Sequence, residues 1–523
     1  MSSSPFQARF ENGDSSVETW SGLHGSASAI ALLSAAAAAD RPCLLVMRSS
    51  HQAQLLHRDL ELLAINDTPA LLFPDHETLP YDPFSPHPDI IAERLKTLSE
   101  TASLQKGLVV CSIGALMQRL PPADYILQRS FNLESGQTLE LEGFRQKLGH
   151  AGYEASEQVY QAGQFAVRGS VIDLFPSGSD VPFRIDLFDD EIDSIRVFDP
   201  DSQRSSGKVD GINLLPAREY PCDEHGLEAF RKAFRNRFDV DTRHVNLYQD
   251  LRAGVHPQGL EQYLPLFYEQ TSSLFEYLSV TPQLVVQDGT IEAAKTLERR
   301  TGERWEQRRH DVERPILDPE ELFFSPSDIQ SRIDDCPLVY LPAGDAPPPA
   351  RPRFASEAVP DLNIHERGRA AAAALSNFLA DFTGRVVFAA DTPGRREVLR
   401  STLNAFDIRP AVFERFREFL EDQERLGLAV LPVDEGFVID GLAEEKLALV
   451  TESQLFGGRS RPRAERAASE RDPEAIIRNL TDLLPGAPVV HEDHGVGRYQ
   501  RLEILEIDDR PAEFLMLEYH GGD

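Results

Sequence analysis

The chain has 523 residues, 41% hydrophobic and 26% charged, with a formal net charge of −32. That length and composition indicate several globular domains, each able to bury its own core, and exclude a disordered or collagen-like chain. So negative a chain repels phosphate backbones, which disfavours strong nucleic-acid binding by the whole chain, leaves only local basic patches for it, and points instead to protein partners.

After a Ser-rich start, Val17 to Leu23 reads as a strand leading into Gly22-Leu23-His24-Gly25-Ser26-Ala27-Ser28-Ala29 and an Ala-rich helix to about Ala39. The apolar run from Ala29 to Ala39 is too short to span a bilayer, and Glu11, Asp14 and Glu18 against Arg9 give the wrong charge for a secretory leader. It predicts a buried helix, no membrane segment and a cytoplasmic protein.

Strand, glycine turn and helix form the setting of a phosphate loop. Against the pattern G-x-x-x-x-G-K-[ST] only Gly22 matches, since Ala27, Ser28 and Ala29 occupy the later positions and Gly25 and Ser26 lie between. The missing lysine would offset the β- and γ-phosphate charge and the missing hydroxyl would ligate magnesium, so ATP hydrolysis is not expected here. Weak anion binding at the helix N-terminus stays open. Cys43, Cys111, Cys222 and Cys336 lack paired spacing, which argues against a zinc site, a redox pair or a disulfide framework.

Strands at Pro42–Met47, Leu71–Phe73 and Gly107–Cys111 alternate with helices at His51–Ala64, Asp89–Gln105 and Ile113–Leu120, which predicts an open, mostly parallel sheet. From Gly163 to Ser206 the period changes to two. Three alternating runs are broken by Pro176-Ser177-Gly178 and Asp189-Asp190, predicting a small antiparallel sheet. Phe183, Ile185 and Leu187 share one face, and Arg184, Asp186 and Phe188 the other; Arg168 and Arg196 alternate onto that second face. Arginine with phenylalanine is the composition of a protein-binding hot spot, although an ordinary half-exposed sheet with solvated arginines has the same pattern.

Mixed helix and strand return beyond Leu214, with buried strands at Leu284–Val286 and Leu338–Tyr340 and a charged helix at Glu292–Glu313. A Pro-rich linker at 344–352 precedes a further small α/β unit with strands at Val386–Phe388, Leu428–Val430 and Leu447–Val450. An apolar-poor linker follows. The end of the chain, from Pro488, alternates short strands with Gly495 and Gly497 turns and an Asp508-Asp509 loop, predicting a small β-barrel. His491-Glu492-Asp493-His494 lacks further candidate ligands, so no metal site is expected.

The run FRIDLFDDEIDSIRVFDPDSQRS within the sheet, the TESQLFG segment at 451–457 and the HGVGRY segment at 494–499 together resemble the bacterial transcription-repair coupling factors. The sheet is also similar to the UvrA-binding domain of UvrB, and the flanking α/β module to a reduced helicase-like module, without a tyrosine-rich hairpin of the UvrB kind between Phe73 and Lys106. The resemblance implies an α/β multidomain fold. It comprises a degenerate P-loop type α/β module (1–124 and 214–343), an inserted antiparallel β-rich UvrA-binding domain (125–213), a linker (344–352), a second small α/β domain of unassigned role (353–456), a flexible linker (457–478) and a truncated Tudor-like, RNA polymerase-interacting domain (479–523).

It further implies an N-terminal adaptor portion in transcription-coupled nucleotide excision repair, with UvrA and the RNA polymerase β subunit as partners. Arg168, Arg184, Phe188, Glu191 and Arg196 are the implied UvrA contacts, and Glu503, Leu505 and Ile507 the implied polymerase contacts. Gly22, Gly25, Ser26, Ser28 and Ala29 form a degenerate phosphate loop. No catalytic residue, cofactor or metal is expected in this chain; ATP, magnesium and DNA would engage motor modules outside it. The alternative is an NTPase or nucleic-acid enzyme of the UvrB type.

Overall fold

The computed structural model describes residues 8–10, 17–342, 354–364, 372–442, 445–456, 488–491, 495–507 and 510–518. The chain divides into two units, 1–457 and 458–523. Both expected linkers, 344–352 and 457–478, lie outside the described residues, as do Glu492-Asp493-His494 and Asp508-Asp509.

In the first unit, β1 (Val17–Thr19), α1 (Ala27–Ala38), β2 (Cys43–Met47), α2 (Ser50–Leu62), β3 (Ala70–Phe73), α3 (Pro88–Ser103) and β4 (Leu108–Ser112) begin a parallel sheet. The chain then leaves for the inserted region, where it forms β5 (Phe131–Glu134), β6 (Glu154–Ala155), β7 (Gln164–Arg168), β8 (Val171–Leu174), β9 (Phe183–Phe188), β10 (Glu191–Phe198), β11 (Ser205–Val209) and β12 (Gly211–Leu214). It returns through β13 (Gln283–Gln287) and β14 (Leu338–Leu341), completing the order β1-β14-β13-β2-β4-β3 with every pair parallel. Runs such as Cys43-Leu44-Leu45-Val46-Met47 and Leu108-Val109-Val110-Cys111 are apolar at every position because helices cover both faces of a parallel sheet.

A second layer follows, with β15 (Ser356–Glu357), β16 (Arg385–Ala390), β17 (Ala411–Val412), β18 (Leu426–Val430), β19 (Phe437–Leu442) and β20 (Glu445–Thr451) in the order β15-β19-β20-β16-β18-β17. β20, β16, β18 and β17 run parallel to one another, while β19 pairs antiparallel with β20 and the edge strand β15 antiparallel with β19. Helix α1 lies in the core between the two layers. Ala29, Ile30 and Leu33 share one continuous cluster with Leu45 and Leu108 of the first sheet and with Val387, Phe437 and Leu449 of the second. A helix that is apolar all round is buried all round, and its alanines let both sheets approach the backbone closely. The helix expected from the Ala29–Ala39 run is therefore the joint between two layers, and no described helix is long and apolar enough to cross a membrane.

The inserted region forms a six-stranded sheet, β11-β10-β9-β8-β7-β6, and a two-stranded ribbon of β12 and β5. Its strands are antiparallel except for β6 with β7. The first alternating run divides into β7 and β8 at Gly169-Ser170, where Gly169 takes φ +63°. A residue without Cβ enters that left-handed conformation at little cost, so a two-residue hairpin forms where the pattern shows one continuous strand. The helix Leu141–His150 places Phe144 and Leu148 against Phe183, Ile185 and Leu187. Tyr125 and Ile126 belong instead to the core of the first parallel sheet, and the β structure starts at Phe131.

Beyond β12, Phe230, Phe234, Tyr263 and Phe267 build a separate aromatic cluster. The charged helix runs Thr290–Arg308. All four cysteines are free thiols, and burial pushes those of Cys43 and Cys222 up to about 12. In the second unit, β21 (Pro488–His491), β22 (Gly495–Ile507) and β23 (Arg510–Glu518) form a three-stranded antiparallel sheet.

Candidate protein-docking face of the inserted sheet

The register of the inserted sheet brings the predicted arginines onto one face. Arg184 lies opposite Arg196 on one side and Asp173 on the other, while Arg168 lies opposite Val171 and Val171 opposite Asp186. Val171 thus shares the face of Arg168, because the two-residue turn between them shifts the phase of the alternation.

The arginines on this face are neutralised from within the chain. Arg184 donates from Nε and Nη2 to the two carboxylate oxygens of Asp173, at 2.6 and 2.9 Å, and from Nη1 to the Gln203 carbonyl and Ser205 Oγ, at 3.2 and 3.3 Å. Its guanidinium also stacks over Phe198, 5.0 Å from the ring centroid. The bond to Asp173 holds Arg184 more firmly protonated than usual. The Arg184 side chain is only 18% exposed and that of Asp173 2%. Arg196 Nη2 donates to Asp186 Oδ2 at 2.5 Å, and Ser194 Oγ reaches the same oxygen at 3.2 Å. Arg168, half exposed at 50%, bonds the Glu157 carbonyl at 2.8 Å and stands 3.8 Å from Asp173.

Bidentate, buried pairing of this kind fixes side-chain geometry, but it leaves little of Arg184 for a partner. Phe188 is different. It ends β9 at 74% exposure, directly opposite exposed Glu191 across the Asp189-Asp190 turn. The tip is held firmly: Asp189 sits at φ +53°, Leu139 N–H donates to the Asp190 carbonyl at 2.6 Å, and Gly136 N–H to the Ile192 carbonyl at 2.8 Å. An apolar ring held in water by a rigid hairpin offers area to a partner with little further loss of conformational freedom.

Over the other end of the face, Val159 packs on Ala166 and Phe198, carrying exposed Tyr160 next to it in the chain. The five predicted contact residues therefore separate. Phe188, Glu191 and Arg168 are available, while Arg184 and Arg196 brace the sheet. Asp173 and Asp186, which do the bracing, went unassigned although each alternates with a core isoleucine onto the arginine face.

A buried ion pair ties this region to the parallel layer. Glu219 accepts Arg94 Nε at 2.9 Å and meets His76 Nε2 at 2.8 Å, and Arg94 Nη1 donates to the Pro74 carbonyl at 2.7 Å. Burial pushes the Glu219 carboxyl up, but Arg94 and His76 together outweigh it and hold the group down at about 2.

At the degenerate phosphate loop, Gly22 and Gly25 take φ +79° and +50°. Ser26 is buried, and Ser28 and Ala29 lie in the first turn of α1. No described group of His, Cys, Asp and Glu side chains could hold a metal ion. In the second unit Glu503, Leu505 and Ile507 occupy alternate positions of β22, opposite Phe514, Ala512 and Arg510 of β23. They share one face of a hairpin, as the period of two requires.

The UvrB interaction domain matches residues 131–220, the MFD, D3 domain 378–455 and the CarD-like/TRCF RID domain 483–523. The chain is 36% identical over 478 residues to the transcription-repair-coupling factor of Haemophilus influenzae and 38% identical over 481 residues to that of Escherichia coli. Each match covers 91% of this chain and 41% of the relative. The Bacillus subtilis factor is 29% identical over 538 residues, covering 96% of this chain and 43% of its own length. The chain thus spans about two fifths of the length of these relatives and, with its matches to the UvrB interaction, MFD D3 and CarD-like/TRCF RID domains, corresponds to an N-terminal portion of a transcription-repair-coupling factor.

Proposed function

We propose that this chain is the docking portion of a factor that couples transcription to nucleotide excision repair, with the inserted β region of 131–214 binding UvrA. The observation that carries this reading is the rigid hairpin tip that exposes Phe188 beside Glu191 within the matched UvrB interaction domain. Phe188 fills a pocket on UvrA, and Glu191 and Arg168 supply charge at the rim. Arg184 and Arg196 act one step back, through Asp173 and Asp186, by holding the sheet flat beneath the tip.

Residues 483–523, matched by the CarD-like/TRCF RID domain, contact the β subunit of RNA polymerase through the β22 face of Glu503, Leu505 and Ile507. The parallel module is helicase-like in descent and the terminal sheet Tudor-like. ATP, magnesium and DNA are handled by motor modules of the family, and no cofactor is assigned to residues of this chain. Titration of UvrA into the chain by calorimetry tests the reading. Binding that Phe188→Ala weakens and Leu505→Glu leaves unchanged supports it; absence of UvrA binding refutes it.

A further inference from the structure

The loop that resembles a phosphate loop is already occupied by the second layer of the same chain. The Ser26 N–H, which begins α1, donates to the Glu435 carbonyl at 3.2 Å. The fit there is backbone on backbone: a Cβ at Gly25 would come within 2.6 Å of the Gly436 carbonyl oxygen and 2.7 Å of that of Glu435. On the other side of the turn the Phe354 N–H donates to the Ser21 carbonyl at 3.0 Å, and the Ser356 N–H to the Gly22 carbonyl at 3.2 Å. Ser356 Oγ donates to Gly22 O at 2.7 Å and accepts the His24 N–H at 2.8 Å.

Side chains extend the seam. Arg58 reaches Asp434 at 3.6 Å and Arg417 meets Asp67 at 2.6 Å across it, while Ser26 Oγ donates to Asp59 at 2.6 Å within the first layer. Below them the apolar faces of both sheets close over α1. In a working phosphate loop the free N–H groups at the helix start are offered to phosphate oxygens. Here the Ser26 N–H is taken by a peptide carbonyl, and the neighbouring Ala27 and Ala29 N–H groups donate to His24 and Ser26 carbonyls of the loop itself.

We propose that the layer from 354 to 456 serves as the resident ligand of the degenerate loop: the 434–436 turn fills the place of a nucleotide phosphate and fuses both layers into one cooperative unit. This assigns the second layer a role that its family match does not supply. It also removes the anion site that the sequence left open at the start of α1. The proposal is independent of UvrA binding, which resides on the inserted sheet.

Hydrogen exchange on the intact chain tests it. Peptides covering 22–30 should exchange on the order of 10³-fold slower than free loop amides, in step with β2 and β16. Millimolar MgATP or MgADP should leave that rate unchanged. Ser28→Lys, which restores the missing charge at a half-buried position, should gain no binding of a fluorescent ADP analogue. Gly25→Ala should speed exchange in β2 and β16 together. Fast exchange at 22–30, nucleotide-dependent protection, nucleotide binding by Ser28→Lys, or loosening of only one sheet by Gly25→Ala would each overturn the proposal.

Discussion

Replacing Arg184 and Phe188 separately by alanine distinguishes a residue that builds the docking face from one that meets the partner. Arg184→Ala deletes two bonds to Asp173 and two further bonds, to Gln203 and Ser205, leaving a carboxylate that is 2% exposed with Arg168 at 3.8 Å as its remaining cation. Stripping one member of a buried ion pair costs about 3–5 kcal/mol. The 18% exposure of Arg184 admits some water, so about 2–3 kcal/mol is expected, in the range of lost hydrogen bonds to charged groups. Phe188→Ala removes a ring that is 74% exposed, and folding stability should change by less than about 0.5 kcal/mol. If the ring fills a partner pocket its loss costs about 2 kcal/mol of binding, or roughly thirtyfold in Kd. Hydrogen exchange across 171–188, beside calorimetric titration of UvrA, reads both quantities. A fully stable Arg184→Ala with thirtyfold weaker binding, paired with a Phe188→Ala that binds normally, would reverse the assignment.

Other outcomes follow from the buried Arg94–Glu219 pair and from the second unit. Arg94→Ala should destabilise the junction by roughly 3–5 kcal/mol, because Glu219 is then buried with His76 alone; urea unfolding followed at the first parallel layer measures it, and a loss below about 1 kcal/mol would show that the pair is idle. Glu219 is depressed from 4.5 to about 2 on folding, so its contribution is fully present above pH 4.5 and is lost as pH falls from there through about 2. Stability should therefore drop across that window, and Glu219→Gln should flatten the drop; an unchanged acid limb would refute the linkage. Leu505→Glu should weaken retention of the RNA polymerase β subunit roughly tenfold or more while the far-ultraviolet circular dichroism stays constant. Equal retention would exclude that face.

Periodicity carried the elements well where one local preference dominated. Continuous apolar runs located β2, β4 and β13, and strict alternation located β9 and β10, because each pattern answers directly to burial on two faces or on one. The hairpin at Gly169-Ser170 was hidden because apolar residues stand on both sides of it; its two-residue turn shifts the phase of the alternation, so that Arg168 and Val171 share a face. The face shared by Arg168, Arg184 and Arg196 was legible from spacing, but their exposure was not. Whether an arginine points to solvent or to Asp173 depends on cross-strand register, which is set by the turn lengths between β7, β8 and β9. The seam at Ser26 was out of reach for another reason: its partner Glu435 lies more than 400 residues away, and a backbone carbonyl leaves no side-chain signature.

The self-paired arginines bear on how this surface can recognise anything. In a chain of net charge −32, cations left unpaired on one face would attract acidic partners and phosphate backbones alike. Asp173 and Asp186 cancel most of that attraction and convert charge into shape: the guanidinium of Arg184, clamped between a carboxylate and the Phe198 ring, is a rigid part of the sheet surface. On the proposed reading, specificity then rests on the exposed ring of Phe188 with Glu191 opposite it, where complementarity in a pocket discriminates more sharply than attraction at a distance. The same economy operates at the degenerate loop, where the Glu435 carbonyl of the chain itself accepts the Ser26 N–H at the helix start. Both features favour protein recognition by shape over recognition of phosphate by charge.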